Sequence, residues 1–194
     1  SLLAATLVGT EGLVSAVEAS PITRHVLLRN ISLNDVGHRV IVHGSAVWHT
    51  DAELNFHQGP VENAGLSGLV DNARAVASFT VKAAPLDEFL AFRERPVSFV
   101  KLDVEGAEYN ALLGMRGIIT KCRPIIALEL SPKFLERFGC TSAHVLDLLT
   151  KEYQYVAYDY DNAGRVSASD VSALSIEEDQ QNNLVFVPTE KSVL

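Results

Sequence analysis

The amino-acid sequence predicts an α/β domain in which helices cover both faces of a mostly parallel sheet. Strand-like and helix-like segments alternate along the chain with short connections, a pattern typical of parallel strands joined through helices. The 194 residues are 47% hydrophobic, which is enough apolar material for one sizeable core and hardly enough for two. We therefore expect a single domain over residues 1–194.

The first part of the chain supplies two strands and a helix between them. The apolar opening over residues 1–8 indicates a helix, and it has no basic residue before it as a secretory signal would. A short buried strand is predicted over Leu13 to Ala19, a helix over Ile22 to Leu33 after the start signal of Pro21, and a second strand over Arg39 to Trp48.

Residues 51–84 interrupt this alternation. Glu53 to His57 and Phe79 to Lys82 alternate in the manner of strands, and a glycine-rich stretch separates them. We interpret residues 51–84 as an insertion with its own short strands.

The alternation resumes downstream. The predicted elements are strands over Val97 to Leu102, Pro124 to Leu130, Tyr155 to Tyr158 and Leu184 to Val187, and helices over Glu105 to Thr120 and Ala143 to Tyr153.

Composition argues against several kinds of partner. The chain has 16 Lys and Arg against 24 Asp and Glu, a formal charge of −8 that repels nucleic acid. Charged or turn residues interrupt every apolar run before the roughly 20 residues that a membrane-spanning helix needs. Cys122 and Cys140 are too few for a disulfide scaffold. We expect a cytoplasmic protein with reduced thiols that binds neither nucleic acid nor a membrane.

Acidic residues gather where a predicted strand meets the next helix. Asp103, Glu105 and Glu108 follow the strand that ends at Leu102, and ligands of open α/β sheets bind beyond the carboxyl ends of the strands. Glu129 lies within an apolar strand, where a carboxylate needs a partner or a raised pKa.

The same segment carries a family resemblance. Residues 101–108 read Lys-Leu-Asp-Val-Glu-Gly-Ala-Glu, and this resembles the Lys-x-Asp-Val-Glu-Gly-x-Glu stretch at the fourth strand of the FkbM methyltransferases. Further segments are similar to that family in the same order: Val17 to Pro21, Asn30 and Asn34, Ser45 to Val47, Leu86 to Phe89, Arg123-Pro124 with Glu129, and Asn183 to Pro188.

The resemblance implies a Rossmann-like class I methyltransferase fold with S-adenosylmethionine as cofactor. The implied reaction moves a methyl group to a hydroxyl of a small molecule or sugar, with S-adenosylhomocysteine as the second product. The family's first strand and Gly-rich loop have no counterpart here. We therefore expect the sequence to be a fragment that lacks its N-terminal strand.

The resemblance also implies the cofactor residues. Glu18, at the end of a strand, is placed to accept hydrogen bonds from two ribose hydroxyls, although an acid beside a turn can simply be solvated. Ala19 and Ser45 belong to the same matched segments. The adenine is expected against Ala46 and Val47, and Asp103 is expected near the methyl donor.

Three carboxylates are candidates for removing the proton of the acceptor hydroxyl. Asp103 is the first choice, followed by Glu105 and Glu129. Each has a structural alternative: Asp103, Glu105 and Glu108 could serve as helix caps or first-turn acids, and Glu129 could form a salt bridge to Lys101 or Arg123.

Other functions fit parts of the pattern. Glu18 would serve the ribose of NAD(P) equally well, so a Rossmann oxidoreductase is one alternative, and a degenerate, non-catalytic interaction domain is another. Asp103 and Glu129 alone make an incomplete set of metal ligands, and the six histidines lack the spacing of a metal site. We therefore predict no metal.

Overall fold

A computed structural model of the chain describes residues 1–60, 67–69, 74–89, 95–159, 164–165 and 182–192. Its contacts divide the chain into two compact units, Ser1–Ala84 and Pro85–Leu194, and each is considered by itself. The single-domain and insertion interpretations stay predictions.

The first unit begins with a parallel strand pair and its helices. Helix α1 (Leu2–Leu7) precedes β1 (Val14–Val17), and helix α2 (Pro21–Leu33) leads through a 3-10 turn (Gly37–Arg39) to β2 (Val40–His43). Strands β1 and β2 are parallel, from Val14 opposite Val40 to Val17 opposite His43. Their buried cluster consists of Ala5, Ala16, Ile31, Val36 and Val40.

A second sheet of the first unit has the order β3-β5-β4, formed by β3 (Ala46–Val47), β4 (Ala52–Gln58) and β5 (Ala77–Ala84). β4 and β5 are antiparallel, which confirms the two strands expected within residues 51–84. Their apolar side chains pack into a cluster of Ala46, Phe56, Val81 and Ala83.

The second unit contains a five-stranded sheet of order β6-β7-β10-β8-β9. Its strands are β6 (Phe99–Leu102), β7 (Ile125–Leu130), β8 (Tyr155–Asp159), β9 (Gly164–Arg165) and β10 (Asn182–Pro188). Its helices are α3 (Leu86–Phe89), α4 (Glu108–Leu113), α5 (Arg116–Cys122), α6 (Pro132–Glu136) and α7 (Ser142–Asp147). Helix α7 continues as a π-helical turn (Leu148–Glu152), and a 3-10 turn (Thr189–Lys191) follows β10.

Alternating burial along β7 explains which side of the strand faces the core. Ile126, Leu128 and Leu130 are at most 2% exposed, because every second side chain of a strand points to the same face. Glu129 therefore lies on the opposite face, where it is only partly buried.

The expectation of a mostly parallel sheet is wrong for the described strands. Three pairings are parallel, β1 with β2, β3 with β5 and β6 with β7. Four are antiparallel: β4 with β5, β7 with β10, β10 with β8, and β8 with β9. The physical reason is that β10 enters between β7 and β8 against the direction of both, while β4 and β5 lie side by side in opposite directions. The fold is therefore mixed α/β.

The strand predicted over Arg39 to Trp48 is in fact two strands. Pairing with β1 ends at His43, and Ala46–Val47 pairs with β5 instead. The Ser45 hydroxyl donates to the Lys82 carbonyl at 2.8 Å, which ties the chain to β5 at the point where it leaves β2.

The helix predicted over Glu105 to Thr120 starts later and is interrupted. Glu105 and Gly106 have φ of +52° and +102°, outside the right-handed helical region, so α4 begins at Glu108. A second break follows α4. There the Asp87 carboxylate accepts the N–H groups of Gly117 and Ile118 at 2.7 and 2.9 Å and caps the start of α5.

Within the described residues, no helix combines the length and the apolar character needed to cross a membrane.

Candidate active site

Glu18 lies directly after β1, at the carboxyl edge of the parallel pair. Its backbone N–H donates to the His43 carbonyl at 3.0 Å, and its Oε1 accepts the Ser20 N–H at 2.8 Å. Burial raises the pKa of Glu18, while the Ser20 N–H and the charge of Arg24 act in the opposite direction. Among the described residues, Glu18 Oε2 has no hydrogen-bond partner and so is available to a ligand.

Ser20 links the Glu18 turn to two other elements. Its side chain is fully buried, and its Oγ accepts the Thr23 N–H at 3.1 Å as the N-cap of α2. The same hydroxyl donates to Gln58 Oε1 at the end of β4. Sequence analysis did not assign Ser20 a role, although serine before proline at the start of an apolar helix is an N-cap signal.

The other expected cofactor residues are largely enclosed by the first unit. Ser45, Ala46 and Val47 are 7%, 6% and 8% exposed, and the Ser45 hydroxyl is engaged with the Lys82 carbonyl. Ala19 is partly buried against the cluster that contains Ala46. A ligand beside Glu18 would therefore meet mainly the backbone and the small exposed edges of these residues.

The second unit brings four carboxyl groups into electrostatic contact. Leu102 of β6 pairs with Leu128 of β7 in a parallel register, so Asp103 and Glu129 follow at neighbouring positions. Burial, followed by the charge of Asp103, raises the pKa of Glu129. The Lys101 ammonium lies 2.6 Å from Asp103 Oδ2 and moderates this effect on Glu129.

Glu105 is poised to change its charge near neutral pH. Burial raises its pKa to about 7, and the negative charges of Asp103, Glu129 and Glu108 add to this effect, with Arg137 opposing them. A carboxyl group with that pKa both accepts and releases protons under ordinary conditions.

Glu108 shapes the turn that carries the other acids. It is 1% exposed, and its Oε1 accepts the N–H groups of Val104 and Gly106, each at 3.2 Å. Oε2 has no hydrogen-bond partner within the described part of the chain, and burial raises the pKa of Glu108. Glu108 therefore stabilises the turn. It is also the first residue of α4, in agreement with the alternative that it serves as a first-turn acid.

Gly106 closes the same turn against α6. A Cβ at this position would lie 2.4 Å from the Phe134 carbonyl oxygen, and its φ of +102° favours glycine. The acidic turn and α6 thus fit together only with glycine at position 106.

Two of the structural alternatives are wrong. Asp103 does not cap a helix, because the N-cap of α4 is Ala107 and no side chain caps it. Arg123 does not pair with Glu129: its Nε lies 2.8 Å from Glu190 Oε1. Lys101 acts on Glu129 through its charge but pairs with Asp103.

The acidic cluster does not resemble a metal site. No group of three or more His, Cys, Asp and Glu side chains in the described residues could hold a metal ion. Asp103, Glu105 and Glu129 instead combine partial burial, mutual repulsion and raised pKa values in two of the three, an arrangement suited to holding a proton.

Comparison with known proteins gives two matches. Residues 1–157 match the family described as the methyltransferase FkbM domain. Among solved structures, the chain is similar to a methyltransferase FkbM from Methylobacillus flagellatus KT, with 20% identity and a TM-score of 0.53 over 90% of this chain. The match spans 36% of the length of that protein. No curated protein matches the chain.

Proposed function

The chain belongs to the FkbM methyltransferase family, and we propose that it transfers a methyl group from S-adenosylmethionine to a hydroxyl of a small molecule or sugar. The methyl carbon would pass from the sulfonium to the acceptor oxygen, the hydroxyl proton would pass to the protein, and S-adenosylhomocysteine would leave. The cofactor supplies the electrophilic methyl group. The protein must hold the ribose, orient the acceptor and accept the proton.

Glu18 is the residue that we assign to the ribose. It has one oxygen fixed by the Ser20 N–H and, among the described residues, one oxygen without a partner. A partly buried carboxylate at the carboxyl end of a strand suits two adjacent hydroxyls, since charge-assisted hydrogen bonds are stronger than neutral ones. Ala19, Ser45, Ala46 and Val47 would border the adenosine through backbone and side-chain edges.

The proton acceptor is the Asp103, Glu105 and Glu129 group. The observation that carries this assignment is that Asp103 and Glu129 follow the paired residues Leu102 and Leu128 of two neighbouring parallel strands, while their charges act on Glu105, whose pKa burial and these charges raise to about 7. A carboxyl group with a pKa near 7 can take a proton from a hydroxyl and release it to water. We assign the first contact with the acceptor to Asp103, which is 43% exposed at its side chain, with Glu105 and Glu129 as the neighbouring carboxyl groups.

The acidic cluster also limits the acceptor. Several carboxylates in mutual contact repel a phosphate or carboxylate group on a substrate. A neutral hydroxyl compound, such as a sugar without acidic substituents, fits this environment better. This preference supports the small-molecule or sugar acceptor that the family resemblance implies.

Two experiments test the proposal. Calorimetric titration of S-adenosylhomocysteine and, separately, of NAD⁺ into the protein distinguishes the methyltransferase from the oxidoreductase alternative. Binding of S-adenosylhomocysteine without NAD⁺ is the expected result. Absence of binding for both at millimolar ligand would favour a non-catalytic domain. Incubation with methyl-labelled S-adenosylmethionine and pools of neutral sugars would then identify the acceptor.

A further inference from the structure

Arg24 of α2 lies directly on the backbone of Gly44, the residue after β2. A Cβ built on Gly44 would fall 2.0 Å from Arg24 Nη1 and 2.6 Å from Cζ. The guanidinium therefore occupies the space in which any other side chain at position 44 would begin. Gly44 is not among the glycines with positive φ, so glycine at position 44 provides room rather than an unusual backbone conformation.

Gly44 and Glu18 are neighbours at the carboxyl edge of the parallel pair. Val17 is opposite His43, and the Glu18 N–H donates to the His43 carbonyl at 3.0 Å. Arg24 belongs to the first turn of α2, where its N–H donates to the Ser20 carbonyl at 2.8 Å. Its side chain folds back from the helix toward the ends of the strands, the direction that helical side chains favour.

Two elements of the first unit place a charged or titratable residue near Glu18. α2 contributes Arg24, whose charge lowers the pKa of Glu18 against the larger opposing effect of burial. β2 contributes one titratable residue, His43, opposite Val17 in the register. The Ser20 N–H completes the set as an uncharged donor to the carboxylate.

We propose that Arg24 is a positioning residue of the ribose corner: packed on Gly44, its guanidinium places a positive charge beside the Glu18 carboxylate and extends tight binding of the cofactor to lower pH. A protonated Glu18 would offer one acceptor oxygen fewer to two ribose hydroxyls. The inference rests on the proposed function for its ligand, whereas the effect of Arg24 on Glu18 is independent of that function.

Two substitutions perturb Arg24 in different ways. Arg24→Gln removes the charge. Gly44→Ala keeps the charge but displaces it, and the clash falls on the end of a flexible side chain, so the fold should tolerate the alanine. Arg24→Lys restores a charge, and Arg29→Gln removes an exposed charge from the same helix as a matched control.

The measurement is a ¹³C NMR titration of the Glu18 carboxyl in the full chain, followed by S-adenosylhomocysteine affinity across the same pH range. Arg24→Gln and Gly44→Ala should both raise the pKa of Glu18, whereas Arg24→Lys and Arg29→Gln should leave it near the wild-type position. Affinity should fall about tenfold per pH unit below the pKa of Glu18, and this decline should begin at higher pH in the first two variants.

An unchanged Glu18 titration in Arg24→Gln would overturn the inference. If only Gly44→Ala leaves the titration of Glu18 unchanged, the contact with Gly44 does not position the Arg24 guanidinium. If the wild type binds no S-adenosylhomocysteine, the proposed function fails, and the NMR titration still decides whether Arg24 controls Glu18.

Discussion

Asp103 and Glu129 follow Leu102 and Leu128, which face each other on the parallel strands β6 and β7, and burial together with the charge of Asp103 raises the pKa of Glu129. The two negative charges repel each other, which favours the protonated form of Glu129. This pair gives the proposed methyl transfer its proton acceptor, and Lys101, 2.6 Å from Asp103, provides a nearby positive charge.

Replacement of Asp103 by asparagine should reduce turnover much more than cofactor binding. A general base contributes about 10²- to 10⁴-fold to rate, and asparagine keeps the size of the side chain without its basicity. Steady-state kinetics with an identified acceptor measure the change. Asp147→Asn is a matched control, because Asp147 also pairs with a lysine, Lys151, at 2.8 Å on an exposed surface. Similar turnover in both variants would exclude Asp103 as the base.

The turnover rate should rise as the pH increases through about 7. The raised pKa of Glu105, about 7, means that its carboxylate, the form able to accept a proton, predominates only above that pH. Glu105→Gln should remove this step from the pH–rate profile. A wild-type profile that is flat through pH 7 would show that Glu105 does not take part in the rate-limiting step.

The stability of the protein should depend on the protonation of Glu108. Its pKa is raised from 4.5 in the folded state, so the protonated form is favoured by folding. Relative to Glu108→Gln, the wild type should therefore be most stable below pH 4.5 and lose that advantage as pH rises through the higher folded-state pKa. Urea unfolding of both proteins across this range measures the difference, and a pH-independent difference would contradict a raised pKa.

The acidic turn should require glycine at position 106. Gly106→Ala brings a Cβ within 2.4 Å of the Phe134 backbone oxygen, and it also places alanine at positive φ, which alone costs roughly 1–2 kcal/mol. Gly139→Ala provides the control, since Gly139 also has positive φ but nothing within 4 Å of the added carbon. The free energy of unfolding should fall clearly further for position 106. Equal losses would mean that contact with α6 does not constrain the turn.

Local patterns predicted the elements well where burial alternates along the chain. The apolar run over Pro124 to Leu130 predicted a buried strand, and Ile126, Leu128 and Leu130 of β7 are indeed buried, on one face of the strand. The strand predicted over Val97 to Leu102 ends, as predicted, just before Asp103. Such features depend on residues a few positions apart, so they can be predicted from the pattern of a single sequence.

Features that depend on distant contacts could not be predicted in this way. The second strand splits where Ala46–Val47 leaves β2 to pair with β5, and the Ser45 hydroxyl bonds there to the Lys82 carbonyl, 37 residues away. The late start of α4 depends on the left-handed conformation of Glu105. Glutamate does not favour this conformation, so the residue type gave no reason to expect it. Likewise, the place of Arg24 on Gly44 depends on how α2 packs beside β2, and no motif records it.

Calorimetric titration of S-adenosylhomocysteine into the wild type, Glu18→Gln and Glu53→Gln tests whether the protein binds this cofactor and whether Glu18 holds its ribose. Glu53 is an exposed acid of the same unit and serves as the control. We expect saturable binding to the wild type and to Glu53→Gln, with binding to Glu18→Gln weaker by about 1–3 kcal/mol, the usual cost of leaving buried polar partners unpaired. No binding to the wild type at millimolar ligand, or equal affinity in all three proteins, would contradict this expectation.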